Sequence, residues 1–177
     1  SRFRKMRAEI LDPAIAKFGG SLVGSAGDSL LIEFTSALAA VECAALCQQR
    51  LNSANSGEPE DRRILFRMGI NLGDVIAADN TIHGDGVNVA ARLEKLSEPG
   101  GLCVARSVYE QVHNRTDLSF TDLGEQNVKN IAQPIHVYRA EIDRLLPSVS
   151  REHVNETQEM NADKISIAVL PFDNMSG

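Results

Sequence analysis

The chain has 177 residues, 43% apolar and 24% charged, with no tryptophan and a formal net charge of −6. That is enough for one domain with an additional segment, and no stretch approaches the ~20 apolar residues of a membrane span. The acidic balance argues against a polyanion such as DNA, whose backbone is bound by clustered Lys and Arg, but leaves a small phosphorylated ligand open.

The opening residues, SRFRKMRAEI, lack both a starting methionine and an apolar signal core. They read as the middle of a helix, so the chain is expected to be a fragment. The helical pattern runs over 1–18 with Phe3, Met6 and Ile10 on one stripe, and Asp12-Pro13 is expected to restart it, Asp12 capping. Gly19-Gly20 ends it. Two short β-like runs, 21–23 and 30–34, flank a small-residue tip and predict a hairpin with Asp28 in the turn. An alanine-rich helix follows over 36–51, then a polar loop over 52–61.

Strands are expected over 64–70 and 74–78, interrupted by Asn71-Leu72-Gly73, with a turn-rich link over 79–86. The next helix opens on GDGVNVAARLE, residues 84–94. Asn88 and Arg92 lie four apart and so share one side of it, with Asp85 one turn earlier. Val89, Leu93 and Leu96 mark a separate apolar stripe. Pro99-Gly100-Gly101 stops this helix. A strand over 102–104, a helix over 107–113 and strands over 118–123 and 135–142 complete the run, with Lys129 in the link between the last two. Helices and strands alternate irregularly with hairpins included, which predicts an α+β domain on a largely antiparallel sheet. Residues 145–164 are polar and charged and read as a linker, after which ISIAVLPF, 165–172, reads as a strand.

Cys43, Cys47 and Cys103 lack the further ligands and spacing of a zinc site and read as buried thiols. Their odd number fits a reducing compartment, and a cytoplasmic location is expected. His83, His113, His136 and His153 share no spacing and read as structural or surface residues. Taken singly, Asp28 is a turn aspartate, Asn88 and Arg92 a solvated helix face, and Lys129 a surface lysine. Together they are the parts of a phosphoryl-transfer site: a carboxylate for Mg²⁺, with cations and an amide to neutralise charge growing on phosphate oxygens.

At this point the sequence resembles the class III adenylate/guanylate cyclase catalytic domain. The likeness is carried by GDSLLIEF, FRMGINLGDVI, GDGVNVAARLE, EPGGLCVARSVYEQV and FTDLGEQNVKNIAQPIHVYRA, in that order. It implies a ferredoxin-like core with helices on one face of a mostly antiparallel sheet, lacking its first strand. It implies a cyclase homology domain over 1–142, a linker over 143–164, and over 165–177 the first strand of a following domain, similar to a TolB-like or repeat region. The implied reaction converts ATP or GTP to a 3′,5′-cyclic nucleotide and pyrophosphate, using Mg²⁺ or Mn²⁺ at sites shared by a homodimer, with no nucleic-acid polymer or membrane segment involved.

By the same resemblance Asp28 is one of two metal-binding aspartates, Asn88 orients the ribose, Arg92 stabilises the transition-state phosphate and Lys129 contacts the terminal phosphates. Three departures follow. The other metal aspartate belongs to a strand upstream of this chain, so the chain alone is expected to be inactive. The base-recognising lysine is replaced by Gly24, and its partner aspartate by Thr81. The alternative is a catalytically degenerate module for dimerisation or regulation. An unrelated ferredoxin-like RNA or metal binder would need a basic aromatic face or clustered Cys and His, which 5% aromatic residues do not provide.

Overall fold

The computed structural model describes residues 2–73, 76–78, 81–142, 165–170 and 172–174. Its first helical run passes through Pro13 without a restart. α1 (Arg2–Met6) leads into a π-helical turn (Arg7–Leu11) and then α2 (Asp12–Lys17). Asp12 is helical rather than a cap: its amide donates five residues back to the Arg7 carbonyl, and its carboxylate accepts from Arg7 Nε at 3.3 Å. Pro13 has no N–H and its ring crowds the preceding turn, and the wider turn accommodates both. Met6 and Leu11 are buried, and Phe3 stacks on Phe66 with ring centroids 6.0 Å apart.

The hairpin is longer than its sequence pattern suggests. β1 (Ser21–Ala26) and β2 (Ser29–Phe34) pair up to Ala26 opposite Ser29, leaving a two-residue turn of Gly27 and Asp28. Gly27 takes a φ of +58°, the left-handed backbone that such turns favour at their first position. Ser36 caps α3 (Ala37–Asn55) by accepting from the Ala39 amide at 3.3 Å. This helix extends four residues beyond the expected end, because buried Asn55 pairs with both the amide and the carbonyl of Ile64.

β3 (Ile64–Phe66) and β4 (Met68–Asn71) follow, then a small antiparallel pair, β5 (Ile76–Ala78) and β6 (Thr81–His83), in a stretch that reads from sequence as link. Next come α4 (Asp85–Leu96), β7 (Leu102–Ala105), α5 (Arg106–Val112), β8 (Ser119–Gln126) and β9 (Ile135–Glu141). The expected linker lies outside the described residues. The strand expected beyond it forms as β10 (Ile165–Leu170) and β11 (Phe172–Asn174).

Among the described residues the main sheet has seven strands in the order β1-β2-β10-β4-β7-β9-β8. All neighbours are antiparallel except β4 and β7. The fold is thus the expected α+β, mostly antiparallel class. The helices, however, divide between the faces. Leu102 and Val104 join the larger core with α2, α3 and α5, whereas Cys103 and Ala105 point the other way and pack with Leu93 of α4. Gln48 of α3, 3% exposed, donates to the carbonyls of Phe66 at 3.0 Å and Gly101 at 2.7 Å, fixing that helix against β3 and the start of β7.

Candidate active site

α4 is fixed against the sheet by an unusually close approach. A Cβ on Gly69 in β4 would meet the Glu94 amide nitrogen and stand 2.5 Å from the Ala90 carbonyl oxygen. Only a bare backbone fits there. Ala90, Leu93 and Glu94 are therefore the buried residues of α4. The stripe read from sequence, Val89-Leu93-Leu96, is corrected by this: Leu93 is buried, Val89 is partly buried, and Leu96 is 39% exposed.

Asn88 and Arg92 lie on the opposite side of the helix from Ala90 and Glu94, by the 100° per residue of an α-helix. Asn88 is exposed and Arg92 half-buried. The start of the helix is held by Asn71, 8% exposed, whose side-chain amide donates to the Gly86 carbonyl at 3.2 Å. Gly73 also crosses Gly86 so closely that a Cβ on it would stand 2.9 Å from the Gly86 Cα. Sequence reading missed Gly69, Asn71 and Gly73 as positioning residues. A glycine inside a strand pattern was the available signal.

Asp28 is exposed at the turn between β1 and β2. Register places it far from the start of α4. Leu31, Val169 and Gly69 form one row across the sheet. Asp28 precedes that row on β2, whereas Gly73 lies beyond it on the parallel path of β4. At ~3.3 Å per residue the two ends are on the order of 20 Å apart along the strands. Lys129, exposed in the turn from β8 to β9, falls at the end where β4 finishes, because β9 runs antiparallel to β7, which is parallel to β4. Lys129 thus shares its end of the sheet with the first turn of α4, and Asp28 does not.

Gly24 sits in β1 opposite Leu31, next to a bulge. A Cβ there would make only ordinary contacts, 3.6 Å to Leu31 Cβ and 3.8 Å to Leu31 Cδ2, so the position has room for a side chain. Thr81 lies in β6 opposite Ala78, and β6 touches β1. A cavity of about 340 Å³, lined in part by Gln48, Asn52, Asn55, Arg63 and Ile142, contains none of these residues.

A family profile described as the adenylate and guanylate cyclase catalytic domain matches residues 9–141. The chain belongs to that family. It is 45% identical over 172 residues to the Rhizobium meliloti (strain 1021) protein named "Putative adenylate cyclase 3", covering 96% of this chain and 29% of that one. A Myxococcus xanthus protein, the serine/threonine-protein kinase pkn2, is 26% identical over 141 residues, 80% of this chain and 17% of the kinase. The chain therefore spans less than a third of either curated relative. Among solved structures, the adenylate/guanylate cyclase/hydrolase from Silicibacter pomeroyi is 46% identical with a TM-score of 0.75, covering 78% of this chain and 82% of that one. The adenylyl cyclase CyaB of P. aeruginosa, at 23% identity and a TM-score of 0.62 over 86% of this chain and 83% of its own, shares the fold.

The three cysteines of this cyclase domain are buried and free. Burial pushes the Cys103 thiol up to about 11. The Cys47 thiol is raised by its hydrogen bond with Cys43 and then by burial. Among the described residues no helix is long and apolar enough to cross a membrane, and no group of three or more His, Cys, Asp or Glu could hold a metal ion.

Proposed function

We propose that this domain cyclises a nucleoside triphosphate, ATP or GTP, at sites shared between two copies. The 3′-oxygen of the ribose forms a bond to the α-phosphorus, the bond from that phosphorus to the β-phosphate bridging oxygen breaks, and pyrophosphate leaves. The 3′-hydroxyl proton passes to solvent. Arg92 lies against the α-phosphate and offsets the charge growing on its oxygens, Asn88 holds the ribose, and Lys129 neutralises the terminal phosphates. The observation that carries this reading is the outward side of α4. The helix is fixed by Gly69, and Asn88 and Arg92 face away from their own sheet.

A triphosphate is much shorter than the distance from Asp28 to the start of α4 in one chain. A twin chain that brings its own Asp28 to this α4 resolves that separation. Leu96 continues the row Asn88-Arg92 by one more turn and is 39% exposed, and Leu22 of β1 is 46% exposed. These apolar positions suit a protein–protein contact on the faces that would meet. A nucleoside triphosphate substrate and three free thiols support a cytoplasmic location for the domain.

The fit to a divalent metal rests on Asp28. An exposed carboxylate in a turn suits Mg²⁺, which keeps most of its water and binds through one or two carboxylates plus substrate phosphates. Bound there, Mg²⁺ or Mn²⁺ would lower the pKa of the ribose hydroxyl and shield the phosphates.

A second reading, a module that dimerises or regulates without turnover, is favoured by Gly24, which offers no side-chain donor to a base. Assay of the full-length protein with Mg²⁺ or Mn²⁺ and ATP or GTP separates the two. Cyclic nucleotide that disappears in Arg92→Ala supports the cyclase. Triphosphate left unconverted under all four metal and nucleotide combinations supports the module.

A further inference from the structure

Lys129 stands at the tip of the β8–β9 hairpin, whose shape is set at two points. The first is the tip itself. The strands pair as far as Gln126 opposite Ile135, leaving 127–134 to turn the chain. Within that stretch the Ile131 amide donates to the Val128 carbonyl at 3.2 Å. This closes a β-turn with Lys129 and Asn130 at its two central positions. Asn130 has a φ of +69°, and among the described residues it is the only residue other than glycine with a positive φ. Asparagine tolerates that left-handed backbone better than most side chains do. Lys129 is thereby held at the apex of a turn, exposed.

The second point is the base of the hairpin. Asp122 lies opposite Tyr138 and Gly124 opposite Val137, so Leu123 is an extra residue in β8. Such a bulge bends and twists its strand and re-aims what the strand carries. Gly124 supplies the backbone for it, with a φ of +73°. Asp122 Oδ1 accepts from the Gly124 amide at 2.7 Å and from His136 Nε2 at 2.7 Å. The Gly124 amide, and after it His136, hold this carboxyl below the ordinary carboxylate range. A carboxylate has no proton to give, so His136 Nε2 carries the hydrogen. The His136 ring stacks on Tyr138 with centroids 5.0 Å apart, and Tyr138 stacks on Tyr109 of α5 at 3.9 Å. One unbroken set of contacts thus runs from α5 through β9 to the bulge.

We propose that Asp122 and His136 are positioning residues for Lys129: they fix the bulge, and the bulge fixes the direction in which the hairpin tip extends Lys129 towards the terminal phosphates of a nucleoside triphosphate. The role of Lys129 rests on the cyclase reading above. Neither Asp122 nor His136 touches the triphosphate. Their contribution is order. A tip free to swing spreads the ammonium over many positions, and that freedom is lost on binding at a cost in affinity.

Two measurements on the full-length protein test this, and neither reads turnover. His136→Leu removes the donor, His136→Gln returns an N–H, and Asp122→Ala removes the same contact from the other side. Hydrogen exchange at 124–126 and 135–137 is expected to be at least ~fivefold faster in His136→Leu and in Asp122→Ala, and close to wild type in His136→Gln. The second measurement is the Kd, with Mn²⁺ present, of α,β-methylene ATP or GTP, whichever wild type binds more tightly. Lys129→Ala is expected to weaken binding ~tenfold and His136→Leu at least ~threefold, with His136→Gln restoring it. The double variant Lys129→Ala/His136→Leu should bind no more weakly than Lys129→Ala alone, because a residue that acts through Lys129 has nothing left to position. Unchanged exchange in His136→Leu and Asp122→Ala, or a double variant weakened by the product of the single effects, would overturn the positioning role while leaving the cyclase reading in place. A wild type that binds neither analogue, or a Lys129→Ala variant that binds as tightly as wild type, would overturn the reading of Lys129 and the positioning role with it.

Discussion

The Asn71 side-chain amide donates to the Gly86 carbonyl at 3.2 Å, so the last residue of β4 holds the first turn of α4. With Gly69 bare beneath Ala90 and Glu94, this sets the rotation of the helix about its axis. The outward direction of Asn88 and Arg92 follows from glycines and an asparagine on the strand below, not from the two functional residues themselves.

Gly69→Ala tests that packing. Its Cβ would press on backbone atoms that no rotamer change can relieve, and the expected cost is about 1–3 kcal/mol in urea unfolding. Gly24→Ala adds the same methyl where the nearest atom is at 3.6 Å, and should stay within about 0.5 kcal/mol of wild type. Equal effects at the two sites would show that the close approach at Gly69 does not constrain the fold.

Arg92→Ala and Asn88→Ala separate function from stability. Each should lower kcat by roughly 10²–10³, while unfolding free energy changes by no more than about 0.5 kcal/mol, because both side chains lie on the outward side of α4. Steady-state turnover beside urea titration reads both quantities. A parallel loss of kcat and stability would make them structural residues.

Gly24→Lys addresses the base. The backbone there has room for a side chain, and a lysine adds the donor that the position lacks. The ratio of kcat/KM for ATP to that for GTP is expected to rise at least ~tenfold, with stability little changed. An unchanged ratio would take Gly24 out of base recognition.

Much of this fold was legible in sequence because its signals are local. The hairpin turn with Asp28, the alanine-rich helix after Phe34 and the helix beginning near Asp85 each show in a few adjacent residues. What was not legible depends on partners distant in sequence. The buried face of α4 was assigned to Val89, Leu93 and Leu96 because apolar residues there share a stripe, whereas Gly69 draws Ala90 and Glu94 inward. Helix α3 runs on to Asn55 because Ile64 is there to pair with it. The division of helices between two sheet faces could not be seen until the alternation in Leu102-Cys103-Val104-Ala105 was set against its neighbours. For the site, spacing showed that Asn88 and Arg92 share a helix side. That Asp28 lies at the other end of the sheet follows only from strand register.

The thiols give a pH dependence with a definite sign. Cys103 is held protonated up to about 11, mainly by burial, above the ~8.5 of a thiol in an unfolded chain. Its contribution to stability is therefore complete below the unfolded value and is lost as pH rises from there towards about 11. Unfolding free energy should fall between pH 8 and pH 10, and less so in Cys103→Ala. At pH 8 the native protein should be alkylated at its three cysteines at least ~100-fold more slowly than in urea. Rapid native labelling would contradict their burial.

The shared site is tested most directly by mixing two inactive variants of the full-length protein, Asp28→Ala and Arg92→Ala, and measuring cyclic nucleotide formation after subunit exchange. Mixed dimers hold one site with both residues intact, so activity should return to about a quarter of wild type from near-background levels in each variant alone. A mixture no more active than its components, when wild type is active and exchange is verified, would contradict a site formed by Asp28 of one subunit and Arg92 of the other.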